Sequence, residues 1–152
     1  MNKIASFTVD HDKLKRGMYL SRVDGDVITY DIRMRVPNKG DYLTNAALHS
    51  FEHLFATYAR NSALSDNVIY VGPMGCRTGF YFLTRGISNR AAIDLVIDCF
   101  KKIAVHEGEI PGATQKECGN YKEQDLAGAK KEASAMLEVL ENITEADLIY
   151  EK

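Results

Sequence analysis

The sequence predicts an α+β fold in which a largely antiparallel β-sheet packs with helices in a single domain. Three observations carry that expectation. An Asp24-Gly25-Asp26 turn lies between two β-rich runs, a hairpin signal. Three further stretches carry apolar residues at helical spacing, each behind a capping residue. The strand-like and helix-like segments are also mostly segregated along the chain.

Taken in order, Phe7 to Val9 is a short strand candidate. Tyr19 to Val23 and Val27 to Val36 form the arms of the hairpin. In the second arm Ile28, Tyr30, Ile32 and Met34 alternate with Thr29, Asp31, Arg33 and Arg35, which predicts a half-buried strand. Pro37, Asn38 and Gly40 end it. Ala46 to Arg60 reads as a helix capped by Thr44 or Asn45. Val68 to Val71 and Gly79 to Thr84 are β-rich runs on either side of the loop Gly72-Pro73-Met74-Gly75-Cys76. Ser88 caps a second helix with the stripe Ile93, Val96, Ile97, Phe100 and Ala104. Asp125 caps a third, with Leu126, Ala129, Ala133, Met136, Leu137 and Leu140. The expected inventory is roughly five strands and at least three helices.

Residues 1–152 are one domain's worth of chain, long enough to bury roughly 70% of the unfolded surface. Lys plus Arg is 19 and Asp plus Glu is 21, with no basic cluster, which argues against nucleic acid as a partner. No apolar run approaches the ~20 residues that span a bilayer, so no membrane partner is expected. The N-terminus lacks an apolar signal core, and the three cysteines are too few for a disulfide framework. A cytoplasmic protein with reduced thiols, free for metal binding or catalysis, is the expectation.

The most informative string is His49-Ser50-Phe51-Glu52-His53. On a helix His49, Glu52 and His53 share one arc of roughly 100°, opposite Phe51, Leu54, Phe55 and Tyr58. The apolar side must face the core, so the imidazoles point away from it. Two imidazoles at i, i+4 can grip one metal ion, with a carboxylate beside them to move protons. This is an H-x-x-E-H pattern, also known from metallopeptidases. A catalytic metal needs a third protein ligand, for which Cys76, His106, Cys118 and the acidic residues are the candidates. Cys99 lies near the apolar stripe of a helix and reads as a buried structural thiol. His106 reads as a helix-end histidine. Spacing leaves open which of Cys76 and Cys118 binds the metal and which is a free thiol.

Longer strings resemble a known family. His49-Ser50-Phe51-Glu52-His53-Leu54-Phe55-Ala56, Gly72-Pro73-Met74-Gly75-Cys76-Arg77-Thr78-Gly79-Phe80-Tyr81 and Cys118-Gly119 are similar, in order and spacing, to S-ribosylhomocysteine lyases of the LuxS family. Ser6-Phe7-Thr8-Val9-Asp10-His11, Asp31-Ile32-Arg33 and Pro37-Asn38-Lys39 extend the resemblance over residues 6 to about 140. It implies a homodimer with active sites at the subunit interface. It also implies His49, His53 and Cys118 as metal ligands, Cys76 as the catalytic thiol and Glu52 as the second acid/base. Ser6, His11 and Arg33 match positions that meet the ribosyl part of the substrate, and Arg60 one that meets its homocysteine end. The implied cofactor is one divalent metal per subunit, iron(II) with zinc or cobalt as replacements, and no nicotinamide or flavin. The sequence departs from the family pattern at Ser50-Phe51, usually Thr-Leu, at Tyr70, usually Asp, and at Gln124, commonly His.

The implied reaction splits S-ribosylhomocysteine into homocysteine and 4,5-dihydroxy-2,3-pentanedione, the precursor of autoinducer-2. That would place the protein in quorum sensing and beside the methionine cycle. Two rival readings remain at this point. One is an H-x-x-E-H metallopeptidase, which leaves Cys76 and Cys118 without a role. The other is a closed, structural Cys₂His₂ zinc module.

Overall fold

A computed structural model describes residues 1–151. A short 3₁₀ turn, Ala5–Phe7, precedes strands β1 (Gly17–Asp24) and β2 (Val27–Arg33). Helix α1 (Asn45–Arg60) leads through a second 3₁₀ turn to β3 (Val68–Pro73) and β4 (Gly79–Arg85). Helices α2 (Asn89–Ala104) and α3 (Leu126–Leu140) follow, and a last 3₁₀ turn, Glu145–Leu148, leads to the C-terminus. The strands form one antiparallel sheet in the order β1-β2-β4-β3.

The caps explain where the helices begin. Thr44, Ser88 and Asp125 each accept a hydrogen bond from a backbone N–H of the first turn of α1, α2 and α3. Apolar residues at helical spacing then face one core. Phe51 and Phe55 of α1 meet Phe80 and Phe82 of β4 and Phe100 of α2, with the Phe51–Phe100 and Phe55–Phe100 centroids 4.9 and 5.2 Å apart. Those five rings fix α1 against the sheet and leave its other side for the polar residues. Gly79 is needed where β4 meets β2: a Cβ there would lie 2.0 Å from the carbonyl oxygen of Ile32.

The observed sheet has four strands, not five. Phe7 to Val9 is not a strand, because Thr8 turns the chain back, its N–H and hydroxyl both donating to the carbonyl of Ala5. β2 ends at Arg33 rather than Val36, since the N–H groups of Met34 and Arg35 both donate to the carbonyl of Thr78. The polar side of β2 is also not left to solvent: Asp31 and Arg33 are only 1% and 3% exposed. The C-terminal segment covers them, Tyr150 stacking on Tyr19 and donating its hydroxyl to Asp31 at 2.7 Å.

Cys99 is buried, as its place near the α2 stripe predicts, and burial pushes its thiol up to about 12. Burial and the neighbouring Asp31 likewise raise the Tyr150 phenol. For both groups the folded-state pKa lies above the unfolded one. Their stabilisation is therefore complete below the unfolded pKa and is lost as pH rises towards the folded value. We expect the urea midpoint to fall from about pH 9 upwards, with Cys99 contributing at most about 1.4 kcal/mol per pH unit. Denaturation of Cys99→Ala across that range checks this, its dependence on pH being the shallower.

Candidate metal and thiol site

α1 carries the ligand candidates on its outward side. Two stretches of one connector reach back to that side. The connector from α2 to α3 brings Cys118 to it, with the Sγ 3.4 Å from His49 Nε2 and 3.9 Å from His53 Nε2. The two Nε2 atoms are 3.1 Å apart, and all three donor atoms lie within 4.8 Å of one another. Around one tetrahedral ion, with bonds of about 2.0–2.1 Å to nitrogen and about 2.3 Å to sulfur, separations of about 3.3 and 3.6 Å are required. The donor set fits.

The histidine hydrogen bonds make the same point chemically. His49 Nδ1 lies 2.8 Å from the carbonyl oxygen of Glu123, and His53 Nδ1 lies 2.8 Å from that of Pro111. A carbonyl only accepts, and that of Glu123 lies closer to His49 Nδ1 than the Gln124 amide nitrogen at 3.4 Å, so we assign the proton to each Nδ1 and a lone pair to each Nε2. Two lone pairs facing each other at this distance repel, unless a cation lies between them. Gly112 lets the second stretch come so close: a Cβ there would meet His53 Nδ1 at 3.2 Å, and its φ of +71° favours glycine as well. The thiol of Cys118 in turn accepts from the N–H of Asn120 at 3.5 Å. Glu52 is half-buried on the same side of α1.

Cys76 is not part of this cluster. It is exposed and opens into a different cavity, of about 180 Å³, lined by His11, Arg33, Pro37, Asn38, Tyr42 and Thr78. Of the two cysteines that spacing left open, it is Cys118 whose sulfur lies beside the histidines, in a group that could hold a metal ion. No closed Cys₂His₂ arrangement forms among the described residues. The loop holding Cys76 is tightly set. Arg77 takes a left-handed φ of 59°, with its N–H donating to the carbonyl of Met74 and its guanidinium to that of Leu43.

Behind the thiol runs a buried polar chain. Thr78 Oγ1 is 3.0 Å from Cys76 Sγ and accepts from Arg33 Nη1 at 2.8 Å. Arg33 grips Asp31 through Nε and Nη2, and Tyr150 completes the chain. Burial opposes the charge of Arg33, but hydrogen bonding to Asp31 and the nearby Asp31 and Cys76 hold its pKa above the ordinary arginine value. Thr78→Val would strand Arg33 Nη1 in the interior, so we expect it to lower the unfolding free energy by about 1–3 kcal/mol, measured by urea titration.

The other predicted substrate contacts are spread out. His11 lines the Cys76 cavity, with Nδ1 2.9 Å from the carbonyl oxygen of Val9. Ser6 lines a separate cavity of about 320 Å³ on the outer face of the sheet, beside Tyr70, Gly72 and Tyr81. Arg60 spends its guanidinium on β3, Nη2 donating to the carbonyl of Ile69 at 2.6 Å. His106 does more than end a helix, bridging the Tyr58 hydroxyl at 2.6 Å and the carbonyl oxygen of Glu109 at 2.9 Å. Sequence reasoning missed Thr78, although residues two apart on an extended chain share a side and Cys76-Arg77-Thr78 has that spacing. It also missed the carbonyls of Pro111 and Glu123, for which backbone atoms leave no signal in residue type.

Comparison with known proteins agrees with this geometry. Residues 4–146 match the family model described as S-Ribosylhomocysteinase (LuxS). The S-ribosylhomocysteine lyase of Borreliella burgdorferi is 47% identical over 156 residues, covering 99% of both chains. That of Phocaeicola vulgatus is 47% identical over 157 residues, 99% of this chain and 98% of the relative. That of Finegoldia magna is 44% identical over 155 residues, 99% of each.

Proposed function

The chain belongs to the S-ribosylhomocysteinase (LuxS) family and is an S-ribosylhomocysteine lyase, and from that premise we propose a metal-dependent cleavage at a site built from its His-His-Cys cluster and Cys76. Residues 1–152 act as one catalytic domain. The observation that carries the reading is the convergence of His49, His53 and Cys118 with both histidine lone pairs aimed at one point. Such a set leaves a fourth position open for substrate, as a catalytic site requires. The soft thiolate with two imidazoles suits iron(II), zinc or cobalt.

The substrate carries its thioether on C5 and its open-chain aldehyde on C1, so the C5–S bond breaks by β-elimination only once the carbonyl has moved to C3. When bound, the metal supplies Lewis acidity to the sugar oxygens and acidifies the neighbouring C–H bonds. Cys76, as a thiolate, takes the C2 proton and returns it to C1, then repeats the transfer from C3 to C2. Glu52 moves the hydroxyl protons and then removes the C4 proton as the C5–S electrons leave with sulfur. Homocysteine departs with the proton that Glu52 took from C4, leaving an enol at C4. The enol ketonises by moving its hydroxyl proton to C5, which gives 4,5-dihydroxy-2,3-pentanedione, the autoinducer-2 precursor that ties the reaction to quorum sensing. Protons and bonds balance with no external oxidant, so no nicotinamide or flavin is needed. Ser6, His11 and Arg33 hold the ribosyl part and Arg60 the amino-acid end, in the cytoplasm.

We take the working unit to be a C2 homodimer that joins the thiol of one protomer to the metal cluster of the other. Support comes from the cavity that Cys76 lines, to which none of His49, His53 and Cys118 contributes. It comes too from large apolar side chains left bare on the N-terminal turn and outer sheet face, Phe7 being 69% and Tyr70 55% exposed. Metal-loaded protein mixed with S-ribosylhomocysteine should release one equivalent of free thiol per substrate consumed. No thiol release from protein holding a full complement of metal would contradict the reading.

A further inference from the structure

Three consecutive residues after Cys118 are fastened to two consecutive residues of α1. The carbonyl of Glu123 accepts from His49 Nδ1 at 2.8 Å. Ser50 Oγ, fully buried, donates to Gln124 Oε1 at 2.7 Å and accepts from the N–H of Asp125 at 2.7 Å. Asp125 then caps α3, its Oδ1 accepting from the N–H of Gly128 at 2.8 Å. Ser50 is one helical step, about 100°, from His49, so its hydroxyl faces α3 while the imidazole faces the cluster. We infer that Ser50 and Gln124 are positioning residues for the ligand His49, locking the 123–125 segment so that the Glu123 carbonyl holds the ring with Nε2 towards the metal.

Three features make this more than ordinary packing. The clamp acts at the residues directly after the carbonyl and directly after the ring it serves. Cys118 lies shortly before Glu123 on the same connector, so the lock bears on that thiol as well. His53 is held from an earlier point of that connector, through Pro111 and outside the clamp, and provides an internal control within one site. Loss of such an outer partner typically costs 10–100-fold in metal affinity, so the effect is readable.

The inference rests on the metal reading above and is tested without substrate. Zinc-loaded wild type, Ser50→Ala, Gln124→Ala and Ser50→Thr are challenged with a chromogenic chelator, and ¹⁵N-labelled histidine reports exchange of the ring N–H protons. We expect zinc release about 10-fold or more faster in both alanine variants, with the Ser50→Thr rate near wild type because the hydroxyl remains. The Nδ1–H of His49 loses protection while that of His53 keeps it. Unchanged release in both alanine variants, or equal loss of protection at the two rings, overturns the inference and leaves the catalytic proposal standing. Should Ser50→Ala fail to fold, Gln124→Ala decides, since Gln124 lies on the connector outside α1. A wild type that takes up no zinc, iron(II) or cobalt overturns the metal reading itself.

Discussion

Cys76→Ala is expected to hold close to one metal ion per chain while releasing homocysteine at a rate lower by a factor of about a hundred or more. The thiol lies outside the His49–His53–Cys118 cluster, with Thr78 Oγ1 as its polar neighbour at 3.0 Å. Its removal therefore takes away a proton carrier and leaves the ligand set whole. Glu52→Gln should behave alike, being isosteric but unable to accept a proton. Metal analysis of the purified variants beside a thiol-release assay checks both. Metal lost from Cys76→Ala but kept in Cys118→Ala would reverse the roles given to the two cysteines.

Cys118→Ala should lose metal and turnover together. Two imidazoles remain, and they sit on one helix at a fixed i, i+4 spacing, but the only anionic donor of the cluster is gone. Without it the charge of the ion is uncompensated, and the 118–125 segment loses its attachment at one end. Measured by dialysis against a weak chelator, the variant is expected to retain well under a tenth of the wild-type metal, a loss of more than about 1.4 kcal/mol of binding free energy. Full retention would mean that a different side chain supplies the third bond.

Much of this was legible in the sequence, for physical reasons that differ by residue. α1 was readable to within one residue, Ala46 rather than Asn45 at its start and the cap left between Thr44 and Asn45, because its apolar stripe and its paired histidines follow one helical period. The position of Cys118 was not readable from spacing, because a connector of irregular chain brings it 69 residues back to His49. The burial of Asp31 and Arg33 was also hidden. Alternation says which residues share a face of β2, but not that Tyr150, 119 residues away, would close over that face. Ser50 and Gln124 stood out in the sequence only as separate departures from the family pattern, and residue type gave no sign that the two would bond to each other at 2.7 Å.

In the proposed dimer one catalytic site takes its thiol from one chain and its metal ligands from the other. Co-expression of Cys76→Ala and Cys118→Ala chains under two different affinity tags, followed by purification through both, yields mixed dimers for a thiol-release assay. In such a dimer one site inherits both defects and the other inherits none, so about half the wild-type turnover per dimer is expected from two parents that are each nearly inactive. Turnover no higher than that of the parents, or no doubly tagged protein at all, would contradict it.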